Sequence, residues 1–71
     1  MSRYLIIIEQ TPGGFSAYSP DLPGCIATGK TRVETETEMK SAIELHIEGL
    51  RDAGYDVPRP SSQAAYCEVA A

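Results

Sequence analysis

Arg3-Tyr4-Leu5-Ile6-Ile7-Ile8-Glu9, followed at once by Gln10-Thr11-Pro12-Gly13-Gly14, decides how this chain folds. The run from Tyr4 to Ile8 is β-branched and aromatic with no polar alternation, the pattern of a central strand covered on both faces. At five apolar residues it is far short of a signal-peptide core, or of the roughly 20 residues that span a bilayer, so a soluble cytoplasmic chain is expected. Pro12, Gly13 and Gly14 then supply the fixed or positive φ of a hairpin turn, and Phe15 to Ser19 reads as the second strand. Two prolines and a glycine in Ser19-Pro20-Asp21-Leu22-Pro23-Gly24 exclude a strand interior and predict an ordered loop. Cys25 to Gly29 is a short third strand, and three strands with short connections make an antiparallel meander.

Beyond the strands, Thr31-Arg32-Val33-Glu34 has the spacing of a capping box, in which the Thr31 hydroxyl accepts from the Glu34 amide and the Glu34 carboxylate reaches back. Steps of about 100° then place Met39, Ala42, Ile43, His46, Leu50 and Ala53 on one stripe, an amphipathic helix lying on the sheet. Thr35-Glu36-Thr37 are poor helix formers, so the first turns are expected to fray. Gly54 stands where a left-handed residue ends a helix, and Pro58 and Pro60 stop it continuing, so the helix is expected to end near Ala53. Gln63 to Val69, with Tyr66, Cys67 and Val69, reads as a last strand. The expectation is an α+β fold in the order β-β-β-α-β over a single domain, residues 1–71, with the last strand parallel to the first through a right-handed connection.

A chain of 71 residues buries only roughly 60 % of its unfolded surface, which favours sharing a core with a partner. Its net charge of -4, with six Lys and Arg scattered among ten acids, argues against nucleic-acid binding and for a basic protein partner. Cys25 and Cys67, without a secretory leader, are expected as reduced, packed thiols.

Gly14 to Cys25, then Ala27-Thr28-Gly29, then Ala42-Ile43-Glu44-Leu45-His46-Ile47-Glu48-Gly49-Leu50 and Pro58-Arg59-Pro60, closely resemble the N-terminal domain of HicB antitoxins. Pro20-Asp21-Leu22-Pro23-Gly24-Cys25 is the most specific part. Lys30 and Thr35-Glu36-Thr37 depart from the family, which usually has an acid after Ala-Thr-Gly and an alanine-rich helix start. The resemblance implies a partial ribonuclease H-like fold. It also implies an antitoxin of a type II toxin–antitoxin system that binds and neutralises a small basic HicA-type toxin, an mRNA-cleaving protein. Many such antitoxins carry a further DNA-binding domain. This sequence stops at Ala71, so direct operator binding by this chain is not expected. The alternative is a stand-alone regulatory or scaffolding module of the same fold with no toxin partner.

Candidate residues follow from these readings. Metal-dependent nuclease chemistry needs several convergent carboxylates, and only Glu9 and Asp21 can be placed near the sheet, so no catalytic, cofactor or metal site is expected. His46, the single histidine, is expected as a partly buried, hydrogen-bonded imidazole. Tyr18 and the loop Pro20, Asp21, Leu22, Pro23 and Gly24 are the candidate partner contacts, since prolines lower the cost of ordering a loop and Leu22 would project from it. Leu45 and Ile47, off the centre of the helical stripe, are the candidates for self-association in a homodimer or higher oligomer.

Overall fold

The computed structural model describes residues 2–71. Strands β1 (Ile7–Thr11), β2 (Gly14–Tyr18) and β3 (Ile26–Gly29) form an antiparallel sheet in that order, followed by helix α1 (Arg32–Asp52). The meander order and the helix match the sequence reading, but Gln10 and Thr11, read there as turn, belong to β1 and pair with Phe15 and Gly14. β1 is shorter than the apolar run, because the ladder ends at the pair Ile7–Tyr18 and the chain then turns away through Pro20. Residues 3–6 lie outside the ladder, and the buried Ser19 hydroxyl donates to the Leu5 carbonyl at 2.9 Å, prolonging the contact by a side chain.

Register sorts the side chains into two faces. Ile8, Ala17 and Ala27 lie opposite one another and face the helix, where Ala17, Leu22, Cys25 and Met39 are buried with Tyr4, Ile6, Ala42 and Ile43 packed around them. Ile7, Tyr18 and Ile26 form the neighbouring row on the opposite face. β1 is therefore covered by α1 on one face only, not on both.

Both ends of α1 are closed by their own side chains and backbone. Thr31 Oγ1 accepts from the Glu34 amide at 3.1 Å, while Glu34 Oε1 reaches back to the Lys30 amide at 3.3 Å. Thr35 does not fray: it is fully buried, its hydroxyl donates to the Thr31 carbonyl at 2.8 Å, and Gly29 of β3 sits against it. At the far end Gly54 adopts φ +78°, and the amides of Gly54 and Tyr55 donate to the carbonyls of Arg51 and Leu50 at 3.0 and 2.9 Å. That nested pair satisfies two carbonyls the helix would otherwise leave open, and glycine alone takes the positive φ without a Cβ penalty.

The fourth strand expected at Gln63–Val69 is not part of this sheet. Residues 55–71 carry no regular structure, residues 63–71 are exposed throughout, and the radius of gyration is 13.8 Å against about 11 Å for a compact chain of this length. Composition gives Tyr66, Cys67 and Val69 a preference for extended backbone, but a strand also needs a ladder partner, and this segment meets none within the chain.

Candidate partner-binding surface

The loop between β2 and β3 is built by two consecutive turns, with the Leu22 amide donating to the Ser19 carbonyl at 3.2 Å and the Cys25 amide to the Leu22 carbonyl at 3.1 Å. These turns point Leu22 inward, where it is 0 % exposed. The expectation that Leu22 projects to a partner is therefore corrected: an apolar side chain between two prolines, directly above an open core, gains more from burial against Met39 and Ala17 than from exposure. Pro20, Pro23 and Gly24 remain on the surface.

Asp21 faces the chain's own C-terminal segment. Its Oδ2 accepts from the amides of Ser61 and Ser62 at 3.0 and 3.1 Å, and its Oδ1 accepts from their hydroxyls at 3.0 and 2.8 Å. Four donors on one carboxylate favour its charged form. The Ser62 amide contributes most, followed by the Ser61 amide, and together they hold the Asp21 pKa down to about 2. A carboxyl with a depressed folded pKa stabilises the native contact above its ordinary value of 3.8 and loses that contribution as pH falls through about 2. The Ser61 and Ser62 amide resonances should accordingly titrate with a midpoint near pH 2, and Asp21→Asn should abolish the transition; a midpoint near 4 would mean the clasp does not form in solution.

Tyr18 is 42 % exposed and Ile26 68 % exposed, and with Ile7 they make an apolar row across the sheet face turned away from α1. Sequence reasoning found Tyr18 but not Ile26, because the burial of a third-strand residue depends on register, which a single short strand does not reveal. Leu45 and Ile47 do not form one patch. Positions two apart on a helix diverge, and Leu45 is 71 % exposed whereas Ile47 lines a groove beside the N-terminal segment.

The chemistry-bearing side chains stay apart. Among the described residues no group of three or more His, Cys, Asp or Glu is placed to hold a metal ion. Glu9 is exposed on β1, and Asp21 is engaged by serines rather than by a second carboxylate. His46 is partly buried, and its ring makes no protein hydrogen bond among the described residues, unlike the bonded imidazole expected. Cys25 and Cys67 are unpaired; burial raises the Cys25 thiol pKa, whereas Cys67 is exposed and not the packed thiol expected. No helix among the described residues is long and apolar enough to cross a membrane.

Comparison with known proteins adds relatives to this geometry. Residues 4–70 match the family described as the HicB_like antitoxin of bacterial toxin-antitoxin system. A chain of the solved HicA3 and HicB3 toxin-antitoxin complex superposes with a TM-score of 0.74 at 35 % identity, covering 84 % of this chain and 70 % of that one. The HicB3 antitoxin crystal structure gives 0.70 at 35 % identity, over 84 % of this chain and 44 % of that one. An uncharacterised 14.9 kDa protein of Haemophilus phage HP1 is 35 % identical over 63 residues, which are 89 % of this chain and 47 % of the phage protein. The chain thus spans about half the length of that relative. A UPF0150 protein of Thermoplasma acidophilum is 34 % identical over 62 residues, 86 % of this chain and 90 % of that protein.

Proposed function

Because this chain belongs to the HicB-like antitoxin family, we propose that it neutralises a small, basic, mRNA-cleaving toxin of the HicA type by stoichiometric binding. The observation that carries this reading is the apolar row Ile7, Tyr18 and Ile26, left uncovered on the sheet face opposite α1 and next to the rigid corner of Pro20, Pro23 and Gly24. A row of this kind offers an aromatic anchor and β-branched neighbours on backbone already fixed by the sheet, so little ordering entropy is lost on docking. The chain's net charge of -4 complements a basic partner and would speed encounter. Within this reading the chain does no chemistry itself; it covers the toxin's active surface in the cytoplasm, where mRNA is the target. It also associates with itself, since a core this small gains from added burial.

The test is co-purification with the product of an adjacent short basic reading frame, followed by RNA cleavage by that product with and without this chain. A complex that silences cleavage is expected, and the double substitution Tyr18→Asp, Ile26→Asp should weaken it by roughly 30-fold or more while the circular dichroism of the fold is kept. No complex, with the chain folded, would overturn the antitoxin reading and leave a stand-alone binding module.

A further inference from the structure

An open groove of about 830 Å³ lies between the N-terminal segment and α1, with Tyr4, Ile6, Ile43 and Ile47 as its apolar lining and four acids against two bases among its charged residues. The segment that lines it, Ser2 to Ile6, leads into β1, whose ladder partner among the described residues is β2 alone. An unpaired edge bearing Ile7 and Ile8, with Ile6 in the segment leading into it, is a template for another strand.

The same chain carries a segment suited to that edge. Residues 63–69 alternate so that Ala65, Cys67 and Val69 share one face and Ala64, Tyr66 and Glu68 the other. The first face is small and apolar. All of these residues are exposed, Tyr66 wholly so, and none lines the groove. The root of the segment is fixed: Tyr4 Oη donates to the Pro58 carbonyl at 2.6 Å, and Asp21 clasps Ser61 and Ser62. Beyond that root, residues 63–71 are exposed throughout, in a molecule whose longest dimension is 47 Å. Residues 63–71 contain no glycine or proline, so nothing in them favours a sharp turn back into the groove of the same molecule.

We propose that residues 63–69 of a second copy of this chain add as a fourth strand along the free edge of β1, seating Ala65, Cys67 and Val69 on Ile6, Ile43 and Ile47, and that the exchange is mutual. Each copy has one such segment and one such groove, so two copies satisfy each other and close as a two-fold dimer. Two exchanged strands of seven residues, each burying on the order of 400 Å² and covering as much on the acceptor, reach about 1,600 Å², the size of a stable interface. This deepens the self-association proposed above and is independent of toxin binding.

Sedimentation of the full chain at tens of micromolar should give twice the 7.7 kDa of one chain. Cys67→Glu, which places a charge in the apolar groove, should weaken dimerisation at least tenfold while the circular dichroism stays unchanged, because position 67 is exposed in the single molecule. Oxidation of Ile47→Cys should then give a covalent dimer on a non-reducing gel, with peptide mapping joining the introduced thiol at position 47 to Cys67. A single-chain mass for the unaltered protein would overturn both the dimer and the exchange. A dimer indifferent to Cys67→Glu, or a 47–67 bond formed within one molecule, would overturn the exchange while leaving the dimer or the antitoxin reading to stand on its own test.

Discussion

Replacing Leu22 with alanine should lower the stability of the folded chain by about 2–5 kcal/mol, the range for removing a fully buried leucine from a packed core. A domain of this length is expected to hold roughly 4–10 kcal/mol in all, so a fifth or more of its stability, and about half at matching ends of the two ranges, rests on one loop residue. The loss has three sources. Leu22 is 0 % exposed, so its whole side chain returns to water on unfolding. Among the described residues it is one of four buried apolar side chains, with Ala17, Cys25 and Met39. The two turns that aim it inward are fixed by backbone hydrogen bonds from Ser19 to Cys25 and flanked by prolines, so the loop can collapse little into the space left behind. Urea denaturation followed by circular dichroism measures the change. Leu22→Asp would go further and unfold the chain, so loss of toxin binding in that variant would report the fold and not a contact. A change below about 1 kcal/mol in Leu22→Ala would mean that the loop is not the lid of the core.

What the sequence made legible here depended on how local each signal was. The hairpin turn, the Thr31 cap and the Gly54 stop are set by a few adjacent residues, and the structure has them in place. Leu22 and Thr35 were misjudged because their burial comes from elements far along the chain. Leu22 is drawn down onto Met39 of α1, and Thr35 is pressed against Gly29 of β3. Gln63–Val69 shows the converse: its local preference for extended backbone was readable, but pairing requires an edge, and among the described residues no strand pairs with the second edge of β1. For the proposed binding surface, the sequence offered Tyr18 only as a candidate beside the Pro20 loop. Its companions Ile7 and Ile26 emerged only when the register Ile7–Tyr18–Ile26 was known.

Gly29→Ala should also destabilise, by about 1–3 kcal/mol, through overpacking rather than through a cavity. Gly29 is not in the positive-φ region, so its value to the fold is space and not backbone freedom. A Cβ at this position would lie 2.6 Å from Thr35 Oγ1, 2.9 Å from the Thr35 amide nitrogen and 3.2 Å from its Cα. Only the first of these belongs to a side chain. Relief therefore requires the first turn of α1 to lift off β3, which strains the Thr35 hydroxyl bond to the Thr31 carbonyl and the cap between Thr31 and the Glu34 amide. The expected signature is a lower thermal midpoint together with faster amide exchange in residues 32–36 than in the middle of the helix. Pairing Gly29→Ala with Thr35→Ala separates the two parts of the clash, because it removes Oγ1 but leaves the backbone nitrogen where it is. The double variant should recover little stability; full recovery would mean that β3 and the helix backbone are not held as close as Gly29 allows.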